Sequence, residues 1–190
     1  YRYQAPTQTA KRYIDSGKLG RVGYVGVNFH KGPHFGGFRE TMDFPLVLDM
    51  SIHHSDMMRC LLSADVVAVQ AVSVNAPWNW NKGDATVAAV LEMSSGVVVN
   101  YYASWVASGA ETPWNADWRF EGEKGVLLWE NGALSVSNRP DAKRPLPLIK
   151  YPVCHQARLL EEFARALAEG FEPETSGRNN LNSLAATYAV

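Results

Sequence analysis

Asp49, His53, His54 and Asp56 stand close together in DMSIHHSDMMRCLL, residues 49–62, within an otherwise apolar run of helical character. In a helix that advances about 100° per residue, Asp49, His53 and Asp56 fall on one stripe roughly 60° wide. His54 lies about 100° round from His53, beside Met50, Met57 and Leu61, and reads as part of the apolar wall. Three chemistries fit two carboxylates and an imidazole. A metal site is one, although zinc sites usually recruit more His or Cys. A structural network, with buried acids bonded to His53, is another and stays open. Proton transfer is the reading favoured: histidine titrates near neutral pH, and a carboxylate one turn away can fix its tautomer and support its positive form. Such a pair can take a proton from a hydroxyl group.

A second group lies upstream in FHKGPHFGGFRE, with His30, His34 and Arg39. It reads either as a solvated Gly-rich loop or as a wall presenting polar groups to a hydroxylated substrate, a role that loops on a rigid scaffold often take. Five of the six tryptophans, Trp78, Trp80, Trp105, Trp114 and Trp118, cluster between positions 78 and 118. They could line a sugar site, but such residues are more often core or interface anchors. The glycines of SGKLGRVG are spaced GxxGxxG after a helix and before a strand, whereas the dinucleotide fingerprint needs strand, GxGxxG, then helix. They read as a helix stop and a turn. No GxSxG elbow and no nucleophilic cysteine in evident company is present.

The elements that must hold these groups follow from the pattern. Pro6 is placed to open a helix ending near Ser16, with Gly17 as its stop. RVGYVGVNFH alternates as a strand does, and Pro45 opens the helix that carries the Asp/His stripe to about Leu62. Five β-rich segments follow from Asp65 to Asn138, with turn signals at Ser95-Gly96 and Asn131-Gly132. Their short connections imply mostly antiparallel pairing. CHQARLLEEFARALAEG then reads as an amphipathic helix with Leu159, Leu160, Phe163 and Leu167 on one face, and a last helix is expected from about Leu181 to Val190. Helices, strands, then helices again describe an α+β fold: a large, mostly antiparallel, open-faced sheet with helices packed on one face. Strands VVAVQAVSV and GVVVNYYASWV carry small or apolar residues at both parities, so the second face is expected to meet a partner.

The 190 residues, 46% hydrophobic and 19% charged, suffice for one domain with a real core. A net charge of −1 without a basic block argues against nucleic acid, and no apolar run approaches the ~20 residues of a membrane span. Cys60 and Cys154 lie far apart and read as free buried thiols of a reducing, cytoplasmic compartment. The opening YRYQAPTQTAKRY has no initiator Met, charged leader or signal-peptide core, and reads as cut from something longer.

Four stretches in this order, YRYQAP…AKRYIDSGKLGRVGYV, LDMSIHHSDMMRCLL, WRFEGEKGVLLWENGALSV and EEFARALAEGFEPETSGRNNLNSL, resemble the C-terminal domain of the glucose–fructose oxidoreductase / inositol dehydrogenase (Gfo/Idh/MocA) family. The most specific part is D-x-x-x-H-x-x-D, here Asp49, His53 and Asp56. The resemblance implies that residues 1–190 form a single α+β domain of a two-domain oxidoreductase whose N-terminal Rossmann domain, the binder of NAD or NADP, is missing from this chain. It implies His53 as the acid/base for the hydroxyl being oxidised, Asp49 as its support or a substrate orienter, and Asp56 and Arg2 as substrate or neighbouring contacts. His34 and Arg39 border the site from the loop. The substrate class implied is a sugar, cyclitol or related polyol; the assembly implied is a homo-oligomer, dimer or tetramer, through the open sheet face. No cofactor or metal is expected on this chain, which alone should be inert. Many members carry glycines before the aspartate and one between Asp and His, where this chain has Pro45, Leu46 and Ser51. A sugar-sensing regulator and a purely structural assembly domain remain as alternatives.

Overall fold

Residues 1–138, 142–153 and 155–190 are described by a computed structural model of the chain. Cys154 and its expected role as a buried thiol lie outside the described residues. The first helix, α1 (Ala5–Asp15), has Pro6 in its first turn, where a missing N–H costs nothing. Gly17 and Gly20, both at φ +69°, make the turn into β1 (Val22–His30). A single helical turn, α2 (Phe38–Thr41), interrupts the Gly-rich loop. The segment that follows is helical from Pro45, widens to a π turn over Val47–Ser51, and continues as α3 (Ile52–Leu62).

Seven strands come next: β2 (Val66–Val74), β3 (Thr86–Met93), β4 (Val98–Ser104), β5 (Asp117–Gly122), β6 (Gly125–Glu130), β7 (Ala133–Ser137) and the two-residue β8 (Arg144–Pro145). They join β1 in one eight-stranded sheet of order β2-β3-β4-β1-β5-β6-β7-β8. The sequential hairpins are antiparallel as their short connections require; only β1 and β4 run parallel. β1 reaches its central place because the chain leaves for the helical segment before the hairpins form. Asn131 and Gly132 both have positive φ, the geometry of a tight hairpin turn, and Gly96 supplies the other positive φ that the sequence signalled.

One face of the sheet carries the core. Val25, Val27 and Phe29 of β1, Tyr101 of β4, Trp118 and Phe120 of β5 and Trp129 of β6 point to this side and are buried with Met57, Met58 and Leu61 of α3 and Ala10 and Tyr13 of α1. Burying each large apolar side chain stabilises the fold by about 1.5–3 kcal/mol. The chain ends in α4 (His155–Glu169) and α5 (Gly177–Ala189). α5 starts four residues before the expected Leu181, because Ser176 caps it: its hydroxyl accepts from the Asn179 N–H at 3.1 Å. The polar run GRNN concealed that start.

Two surfaces stay apolar and uncovered by the chain itself. The opposite sheet face presents Tyr24, Val72, Val90, Val98 and Tyr102 to solvent. The stripe on α4 is amphipathic as expected but not buried, with Leu160 66%, Phe163 51% and Leu167 71% exposed. No helix among the described residues is long and apolar enough to cross a membrane.

Candidate functional site

The π turn and α3 place Asp49, His53 and Asp56 along one side of the helical segment, and each meets different surroundings. A π turn takes one more residue than an α turn, and such turns are frequent at functional sites. Asp49 sits inside it and accepts from Arg39 Nε through Oδ2 at 2.8 Å. The Arg39 guanidinium also lies over the rings of Phe35 and Phe38, at 5.3 and 4.9 Å from their centroids. The loop from Lys31 to Asp43 thereby reaches the carboxylate that the helix supplies. Its far end is fixed by close packing: a Cβ on Gly83 would fall 1.9 Å from the Asp43 carbonyl oxygen, so only glycine fits.

His53 opens toward solvent, and its inner side packs edge-on against the Tyr1 ring with centroids 4.9 Å apart. Neither ring nitrogen has a hydrogen-bond partner among the described residues. Its pKa is lowered below the ordinary value, first by burial of that inner side, while the charges of Asp49 and Asp56 act the other way. The imidazole is therefore mostly neutral at neutral pH and able to accept a proton.

Asp56 is locked. Arg2 Nε and Nη2 donate to its two oxygens at 2.8 and 2.7 Å, a bidentate pair, and the Ser183 hydroxyl donates at 2.8 Å. Burial acts to raise its pKa, but the hydrogen bonds and positive charges of Arg2, with Ser183 and Arg59, prevail and hold it below the usual range. Arg2 reaches on to Glu174 at 2.9 Å. Arg59 donates to Asp65, Asn179 and Ser183. This network ties the first residues of the chain, α3 and α5 together. A groove of about 480 Å³ runs from Asp56, Tyr1, Arg2 and Tyr3 to Leu159, Leu160 and Phe163 of α4.

His54 turns inward as its position round the helix required. It is wholly buried, and burial pushes its pKa down to about 3. His34 stacks on Trp80 with centroids 3.8 Å apart, and no contact joins it to the Asp/His stripe. Of the tryptophans, Trp105 and Trp118 are core, while Trp78 and Trp114 are exposed. The structure thus pairs Asp49 with Arg39 and Asp56 with Arg2, and the charges of both carboxylates reach His53. Tyr1, Glu174, Asn179 and Ser183 were missed from sequence. The spacing of Asn179 and Ser183, four apart in a helix, was the available signal, hidden by the late placement of the start of α5.

The glycines of SGKLGRVG do not form a dinucleotide cradle. Gly17 and Gly20 make the helix-to-strand turn and Gly23 lies within β1, and a Cβ on Gly20 would meet Glu123, not an open phosphate site. Among the described residues no three His, Cys, Asp or Glu side chains converge as a metal site.

Comparison with known proteins adds the context. The model of the GFO/IDH/MocA C-terminal domain matches residues 7–128. An uncharacterized protein of Sinorhizobium fredii is 22% identical over the whole chain, and the 1,5-anhydro-D-fructose reductase of Ensifer adhaerens is 26% identical over 93% of it. The chain spans 57% and 55% of the length of these two relatives. An oxidoreductase from Agrobacterium radiobacter, solved with NAD+, L-tartaric acid and magnesium, superposes with a TM-score of 0.86 at 20% identity, over 100% of this chain and 59% of that one.

Proposed function

Because this chain belongs to the GFO/IDH/MocA family through its C-terminal domain, we propose that it is the substrate-binding and assembly domain of an NAD(P)-dependent oxidoreductase acting on a secondary alcohol of a sugar, cyclitol or related polyol. His53 takes the proton from the hydroxyl being oxidised and returns it in the reverse direction. The observation that carries this reading is the state of His53: solvent-facing, unpaired, and mostly neutral, beside two carboxylates that are each held by an arginine. A neutral imidazole can accept the proton, and the nearby negative charges stabilise the imidazolium it becomes. Asp49 spends Oδ2 on Arg39 and keeps Oδ1 for a substrate hydroxyl. Arg39 and the exposed ring of Phe38 form the wall on that side, where an apolar ring face suits the C–H face of a sugar. The relatives support the reading by name: one is a reductase of an anhydro sugar, and one oxidoreductase was solved with NAD+.

A nicotinamide dinucleotide held by the cofactor-carrying domain would accept or return the hydride. The exposed stripe of α4 and the groove beside Tyr1 supply an apolar surface for a cofactor-carrying domain. The open sheet face supplies a second, for another copy of the chain in a dimer or tetramer. The free, buried thiol of Cys60 suits a reducing cytoplasm. The test is an assay of the longer protein with NAD or NADP and a panel of sugars and polyols. Turnover that requires His53, with none from the 190-residue chain alone, is the expected result; turnover by the isolated chain, or an indifferent His53→Ala variant, contradicts the proposal.

A further inference from the structure

Ser51 stands where the family resemblance expects glycine, and its hydroxyl is not idle. It is buried, and its Oγ lies 2.9 Å from the Tyr101 hydroxyl. That hydroxyl lies 2.8 Å from His54 Nδ1, and His54 Nε2 lies 3.3 Å from the carbonyl oxygen of Trp114. One arrangement of protons satisfies all of them. A carbonyl only accepts, so Nε2 of His54 carries the hydrogen and Nδ1 is bare. Tyr101 must then donate to Nδ1, which leaves its oxygen to accept from Ser51. The chain runs in one direction, Ser51 to Tyr101 to His54 to Trp114. Burial keeps His54 from taking up a second proton and raises the Tyr101 pKa, so both groups stay neutral at ordinary pH.

The four groups come from four places that border the site. Ser51 ends the π turn; its single proton goes to Tyr101 at 2.9 Å rather than to the Leu46 carbonyl five residues back, which lies farther off at 3.4 Å. His54 follows His53 directly. Tyr101 belongs to β4, which pairs with central β1. Trp114 stacks on Phe35, the loop residue under Arg39. A π turn holds one residue more than an α turn, and its relaxation would rotate the upstream residues by roughly 100° relative to α3.

We propose that Ser51, Tyr101 and His54 are positioning residues: their directed hydrogen bonds pin the π turn to the sheet and so fix where Asp49 meets Arg39 and how Asp49 sits relative to His53. A fully satisfied buried network specifies one arrangement in this way. Its catalytic meaning rests on the proton-transfer reading of His53; the geometry does not.

The experiment is nitrogen-resolved NMR of the histidine rings and of the Arg39 Nε–H in the 190-residue protein, comparing the parent with Tyr101→Phe. The parent should show His54 as the Nε2–H tautomer without titration above pH 5. In a Tyr101→Phe variant that keeps its circular dichroism and cooperative melt, the Arg39 signal should lose its hydrogen-bonded shift. The His53 midpoint should fall at the same time, because the Asp49 charge that raises it moves away. Unchanged Arg39 and His53 signals in that folded variant overturn the proposal. If Tyr101→Phe does not fold, Ser51→Ala, which leaves the Tyr101–His54 bond in place, is read in the same way and decides it. Shifted signals alongside full turnover of a His53→Ala longer protein would keep the positioning role and remove the catalytic one.

Discussion

At the scale of the residue, the two carboxylates of the stripe differ in what holds them, and their substitutions should differ in kind. Asp56 accepts three hydrogen bonds, two of them from a nearly buried arginine. Its folded-state pKa is depressed, so its charge contributes stability that is fully present above the unfolded pKa of about 3.9 and lost as pH falls through the folded value. Asp56→Asn should therefore lower stability at pH 7 by about 1–3 kcal/mol, and the gap to the parent should close toward pH 3, as urea melts at the two pH values would show. Asp49 is held by a single arginine that is itself partly exposed. Asp49→Asn should leave the melt nearly unchanged while reducing turnover of the longer protein. The stripe was legible from the i, i+4, i+7 spacing of its residues. What the spacing could not show is that each carboxylate would be claimed by an arginine from another segment, since Arg2 and Arg39 are close to them only in space.

At the scale of the element, the helix stops, hairpin turns and strand alternation were local signals and led to the observed elements within a residue or two for α1 and β1. The π turn was not legible: it depends on Ser51 finding Tyr101, a contact between residues 50 apart in sequence. α2 and β8 were missed for another reason, being too short to carry a periodic signal. The cap of α5 gives a direct test. Ser176→Ala removes the acceptor of the Asn179 N–H and should cost about 1 kcal/mol, visible as a lower melting temperature. Gly83→Ala should cost more, about 1–3 kcal/mol, because its Cβ has no space against Asp43, and a thermal melt should place it below Ser176→Ala.

At the scale of the whole molecule, the chain buries one face of a large sheet and leaves two apolar surfaces without cover. The parity of β2 and β4 announced the first from sequence, while the α4 stripe looked like an ordinary core face and proved to be outward. Val90→Glu, on the β3 part of the open sheet face, should convert an oligomer to a monomer without altering the melt of the monomer, as light scattering would report; a parent that is already monomeric would contradict the assembly proposed for that face. The central claim is narrower and belongs to His53. The measurement that tests it most directly is the pH dependence of kcat/KM for the longer protein and its His53→Ala variant, with NAD(P) and a polyol substrate. The parent should lose activity as falling pH charges the His53 imidazole. The variant should be slower by about 10²–10⁴-fold and lack that limb. A variant that keeps both the parent rate and its acid limb would contradict the account.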